Sequence, residues 1–275
     1  MAVELRPLGV GEKLDAAFSL YRRNFGTLLG IVAMIIIPFQ LASVYLASLA
    51  DRDSVGSVLF IGLISVVVGF IGNVFATGSV TKAIVDDYLG ETPNWQDSLR
   101  FGWTKVGPLV VGSILYGLGL LFGFVLFIIP GVFLWVTWAM WVPAVIVEDR
   151  GGKVALGRSN ALAKGRRWPV FGFLIVVYLI VSIIDLIAGS VLFAFVSAGS
   201  AADTVINVAV ALLVAPFVAA ATVVLYFDQR VRVEAFDVEL LASQISGTPV
   251  PKGFGSLDGE TPPASPPPFP PSDQG

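Results

Sequence analysis

The residues able to do chemistry in this chain are few, and most of the usual ones are absent. Among 275 residues there is no Cys and no His. Thiol nucleophiles, disulfides, imidazole bases and the commonest zinc ligands are therefore excluded. What remains is charge in unusual places. Residues 147–172 read VEDRGGKVALGRSNALAKGRRWPVFG and hold six of the 17 Lys and Arg residues. With 153–168 wound as a helix, Val154, Ala155, Ala161 and Leu162 share an arc, and Arg158 lies within it. Lys153, Lys164 and Arg167 lie opposite. An inward guanidinium needs a partner, and Glu148 is the nearest candidate. Two readings stand: a structural Glu148–Arg158 pair that pins this helix to the preceding apolar run, or a solvated Arg158. Lys164, Arg166 and Arg167, with Trp168 at headgroup depth, suit anionic lipid phosphates, at about 1 kcal/mol per cation near the surface.

Asp185 is the second candidate. It is the one acid deep inside an apolar run, VSIIDLIAG. A charge at such depth costs several kcal/mol unless it is paired or neutralised, and marks a functional hypothesis by default. It is either a proton or cation site, or a structural carboxyl hydrogen-bonded to Asn73, Gln40 or Asn207. No phosphate-cradling loop, paired-carboxylate site or metal cluster is recognisable. An enzyme is therefore not expected, and neither is a cofactor.

The elements that carry these residues are apolar and long. The chain is 56% hydrophobic and 13% charged, about half the charged fraction of a soluble domain. Crossing a bilayer takes about 20 apolar residues, and six runs approach or exceed that length: 26–50, 55–85, 108–129, 132–147, 169–198 and 204–226. Pro130-Gly131 is expected to reverse the chain between the third and fourth. The alternative is that 108–147 forms one kinked, re-entrant element. Residues 9–25 place Val10, Leu14, Ala17, Phe18, Tyr21 and Phe25 on one helical face, as in a helix lying in the membrane interface. After Pro93, Trp95, Leu99, Trp103 and Val106 share a side of a short helix, with the two Trp at headgroup level. In 226–246, Asp228 and Arg232 are i,i+4 partners, as are Arg230 and Glu234.

Sixteen of the 17 cations fall on one side of this topology, and only Arg52 falls on the other. The positive-inside rule then places both termini in the cytoplasm. Three junctions resemble one another: YRRNFGTLLG (21–30), FGWTKVGPLVVG (101–112) and AKGRRWPVFG (163–172). The expected fold is thus all-α and polytopic, with six transmembrane helices in three hairpins, each preceded by a cytoplasmic interface helix. In domain terms, 1–25 is an amphipathic interface helix. A six-helix membrane domain occupies 26–246, with cytoplasmic amphipathic segments near 86–107, 148–168 and 227–246. Residues 247–275, with nine Pro between 248 and 275, are expected to be a disordered tail.

Four segments resemble the glycerophosphoryl diester phosphodiesterase membrane-domain family of bacteria. They are LGVGEKLDAAFSLYRRNFGTLLG, IIPGVFLWVTWAMWVPAVIVED, VALGRSNALAKGRRWPVFG and LYFDQRVRVEAFDVEL. The resemblance implies a six-helix membrane domain, which some relatives fuse to a soluble phosphodiesterase barrel. The metal-binding acids and catalytic His residues of that enzyme have no counterpart here, so the resemblance lends no enzymatic activity. The expected partners are membrane lipids with anionic headgroups, and a protein partner through the cytoplasmic face or the Pro-rich tail. Nucleic acid is not expected, because the cations are spread over membrane-proximal helices. The function expected is that of a structural, lipid-interacting or partner-binding membrane protein. The alternative is a small transporter or lipid-handling protein using the bundle interior around Asp185.

Overall fold

A computed structural model describes residues 7–49, 51, 54–195 and 201–234. The expected Pro-rich tail, the stretch 235–246, and Arg6 and Arg52 lie outside the described residues. Within them are ten helices and no strand: α1 (Val10–Arg23), α2 (Phe25–Ser48), α3 (Val55–Tyr88), α4 (Trp95–Thr104), α5 (Val106–Leu126), α6 (Ile128–Thr137), α7 (Trp141–Glu148), α8 (Gly152–Ala163), α9 (Arg167–Phe195) and α10 (Ala201–Glu234). Six stretches are long and apolar enough to cross a membrane: 25–46, 55–88, 106–126, 128–148, 167–190 and 205–234. The protein is an all-α, polytopic membrane protein.

Local sequence explains the helix ends. Ser54 and Asn94 cap α3 and α4 by accepting the N–H groups of Ser57 (3.3 Å) and Gln96 (2.9 Å). Such caps satisfy donors that a helix start leaves orphaned. At α1, Glu12 reaches back to the Gly9 N–H at 2.7 Å. Asp149 ends α7 in the left-handed region (φ 53°), and Asp is one of the residues that tolerates it. This turn delivers Glu148 and the start of α8 to the same place.

The described order is short helix then long hairpin, three times over. Small residues let the hairpin arms touch. A Cβ on Gly72 of α3 would lie 2.6 Å from the Phe39 ring of α2, and one on Gly123 of α5 would lie 2.9 Å from the Cα of Gly131 in α6. Trp138 and Trp141 lie against Gly119 and Gly112 further along α5. A Lys105–Asp149 ion pair closes the other end of this middle hairpin. Its second arm is broken at residues 138–140 into α6 and α7. There the Ser159 hydroxyl accepts the Met140 N–H (3.0 Å) and donates to the Thr137 carbonyl (2.8 Å).

One detail of the sequence reading needs correction. The chain reverses at Phe127, not at Pro130-Gly131; Pro130 sits in the first turn of α6, where its missing N–H costs nothing. In the short helices several of the bulky apolar residues face outward. In α1 the buried residues are Lys13, Ala17 and Leu20, while Val10 and Phe18 are exposed. In α4 they are Ser98 and Gly102, while Trp95 and Trp103 face outward. In α8 the expected arc faces inward at Ala155, Arg158 and Leu162, and Val154 alone of it is exposed. The physical reason is that a helix between a bundle and lipid has two apolar options. Lys13, Ser98, Gly102 and Ser159 dock on the bundle together with Leu20 and Leu162, while Val10, Phe18, Trp95, Trp103 and Val154 are left for the lipid side.

Candidate functional site: a charge network and an aromatic cavity

The last two turns of α10 gather buried charge. The Glu148 carboxylate, fully buried, accepts from Arg158 Nε (2.6 Å), from the Tyr226 hydroxyl (2.7 Å) and from Arg150 Nε (2.9 Å). Arg158 also pairs with Glu234, whose other oxygen takes Arg230 Nε at 3.1 Å. Burial works against the charged guanidinium of Arg158. Its bonds to Glu234 and Glu148 outweigh that and hold its pKa above the usual arginine value.

Beside this lies a second knot around Asp228. Its carboxylate accepts the Leu8 N–H (2.8 Å), Lys13 Nζ (3.0 Å), Arg232 Nε (2.9 Å) and Gln229 Nε2 (3.2 Å). Arg232 also donates to the Leu8 carbonyl at 2.7 Å. Between the knots, Phe227 stacks on Tyr88 of α3 with ring centroids 4.5 Å apart. Arg23 and Asn24 both bond Asp87, next to Tyr88. One stretch of α10 thus holds α1, α3, α7 and α8 together. The Glu148 and Asp228 carboxylates each face three or more donors, the arrangement of a clamp rather than of an acid–base pair.

Further along α10, a cavity of about 460 Å³ opens in the bundle. All six membrane-length stretches line it: Val32 (α2), Thr77 (α3), Tyr116 (α5), Trp135 and Trp141 (α6 and α7), Tyr178 (α9) and Thr222 (α10). The lining is mainly apolar and aromatic. The Thr77 and Thr222 hydroxyls are spent on carbonyls one turn back, those of Asn73 and Val218. The Asn73 side chain also borders the cavity. Trp135 packs edge-on against Tyr178, with centroids 5.2 Å apart. Volumes of about 300–1,000 Å³, apolar lining and a few polar groups are the usual features of a small-molecule site between bundle helices.

The residues singled out from sequence fall into three sets. Glu148 and Arg158 are in direct contact. Lys164 is exposed and Arg166 and Arg167 are half-buried; the Arg167 guanidinium lies 4.7 Å over the Phe133 ring, and Trp168 is 81% exposed. Asp185 is not in the interior. It is exposed, and no hydrogen bond joins it to Asn73, Gln40 or Asn207 among the described residues. Gln40 is half-buried and Asn207 exposed, and neither borders the cavity. The idea of a bundle interior built around Asp185 is thereby corrected. The reason is where packing ends: burial along α9 stops at Val181, one turn before Asp185. The residues that sequence reasoning missed are Lys13, Tyr226 and the cavity aromatics. A Lys within an otherwise apolar helical stripe was the available signal for the first.

Fold and network together define a helical, multi-pass membrane protein with a charged clamp at one end of its bundle. The chain matches, over residues 8–229, the model of a family described as a domain of unknown function (DUF7847), and it belongs to that family. No curated protein and no solved structure matches it.

Proposed function

We propose that this protein is a lipid-interacting membrane protein that takes an amphipathic lipid or lipid-like molecule into the bundle cavity. The observation that carries the reading is the cavity itself. It is large enough for a small ligand, bordered by every membrane-length stretch, and lined by aromatic rings with isolated polar groups. The charge network along α10 supports the same reading as a clamp that joins α1, α3, α7 and α8 to α10 at one end of the bundle. The resemblance to a membrane domain that some relatives fuse to a phosphodiesterase of lipid-derived substrates is in keeping with a lipid context. The positive-inside rule supports a cytoplasmic placement of the cation-rich face with both termini, and the resemblance to a bacterial family supports a bacterial plasma membrane. A transporter reading loses its main support, because Asp185 lies away from the cavity.

Native mass spectrometry on the protein released from mild detergent tests this. A lipid-sized adduct is expected on the wild type. Ala219 lines the cavity and is 7% exposed, so Ala219→Trp should fill it and reduce the adduct several-fold while the protein still elutes as a folded species. An adduct retained in full by folded Ala219→Trp protein would remove the cavity as the site.

A further inference from the structure

The reversal between α5 and α6 has the build of a turn made in hydrocarbon. A single residue, Phe127, lies outside the two helices. Its N–H donates to the Gly123 carbonyl at 3.1 Å, and its carbonyl accepts the Gly131 N–H at 3.4 Å. Pro130 brings no N–H that would need a partner. Lipid offers no hydrogen bonds, so backbone groups there must be satisfied within the protein. Val125, Leu126, Phe127, Ile128 and Ile129 are each between 65% and 81% exposed. From Gly117 to Val136 there is no charged, amide or hydroxyl side chain, whereas the α2–α3 turn carries Asp51, Arg52 and Asp53.

Two observations set how deep this tip goes. First, the polar helix α8, with Lys153 and Asn160 exposed, covers the other end of the hairpin. Gly152 abuts the Pro108–Gly112 backbone, and Ser159 bonds Thr137 and Met140. Beyond that cover, residues 113–126 of α5 and the ten residues of α6 remain for the hydrocarbon. Crossing takes about 20, and runs of 10–14 are typical of re-entrant segments. Second, Arg167 rests on the Phe133 ring, and a guanidinium keeps its head at the polar boundary. Phe127 is six residues from Phe133, about 9 Å of helical rise, in a layer about 30 Å thick.

We infer that α5–α6 is a re-entrant hairpin. It enters from the cation-bearing side and turns inside the bilayer. Its tip is offered to lipid acyl chains, short of the opposite surface. The inference stands independently of the cavity reading, since it concerns the outer surface of the hairpin.

The chain has no Cys, so single-Cys variants report cleanly. Nitroxide labels at Phe133→Cys, Ile129→Cys and Phe127→Cys would be read by power saturation, in phosphatidylcholine–phosphatidylglycerol vesicles. Oxygen serves as the apolar probe and a nickel chelate as the polar one. Asp51→Cys is the aqueous control. Phe127 and Ile129 are exposed, so these changes leave the packing intact. The expected result is an oxygen-to-nickel ratio that rises from Phe133 to Phe127, at least several-fold above the Asp51 value. A ratio that falls towards Phe127, with nickel access like that of Asp51, would mean a full crossing and overturn the inference. Low access to both probes at Phe127 would mean that protein covers the tip, and would overturn it as well.

Discussion

Glu148 sits under three donors, and the substitutions around it should separate by chemistry. Glu148→Ala leaves the Arg158 guanidinium short of one of its two carboxylates in a buried place, and breaking such a pair typically costs about 3–5 kcal/mol. Tyr226→Phe removes one bond to a charged group, worth about 1.5–3 kcal/mol. Thermal unfolding in detergent should therefore rank the midpoints wild type, Tyr226→Phe, Glu148→Ala. Adding Arg158→Leu to Glu148→Ala should recover part of the loss, because it removes the uncompensated charge. A Glu148→Ala midpoint no lower than that of Asp97→Ala, an exposed acid on α4, would show that the network contributes nothing. Part of this network was readable from sequence. Helical arcs put Arg158 inward, and i,i+4 spacing paired Asp228 with Arg232 and Arg230 with Glu234. The bonds from Lys13 and Leu8 to Asp228 span 215 and 220 residues, and no periodic pattern links positions so far apart.

The short helices show that one amphipathic face can divide between the bundle and lipid. The wheel of α1 grouped Val10 and Phe18 with Ala17 on one face, as in a helix lying in the membrane interface; Ala17 is buried, while Val10 and Phe18 are exposed. Glycines on α8 give a sharp test. A Cβ on Gly152 would collide with the Pro108 carbonyl and the Gly112 backbone, whereas Gly157 has open space around it. Gly157→Ala should stabilise by up to about 1 kcal/mol through helix propensity. Gly152→Ala should instead destabilise, since α8 must move off α5. Opposite shifts of the unfolding midpoint are the expected readout, and two shifts of the same sign would refute the packing of α8. The exposed tip from Val125 to Ile129 was legible as an apolar stretch. Its turn was not, because Pro130-Gly131 is the stronger reversal signal, and only the helix geometry shows Pro130 used as a first-turn residue.

For the whole molecule, six apolar runs were sufficient to give the class and the order of the membrane-length stretches. The cavity was hidden, because it arises from single residues on six separate stretches whose levels only the assembled bundle fixes. Orientation is open to a direct check. Reporter fusions at the N-terminus and after residue 234 should both score cytoplasmic, and one inserted at Asp51 should score external; any other pattern rejects the assigned sidedness. The Lys13–Asp228 bond also has a consequence in time. Ribosomes add about 5–20 residues per second, so roughly 10–40 s separate the two partners at synthesis. Throughout that interval α1 has no place to lodge its ammonium group, and it must wait at the membrane surface. Helix α1 is therefore secured well after it is made, and completion of α10 is the event that locks the two helices together.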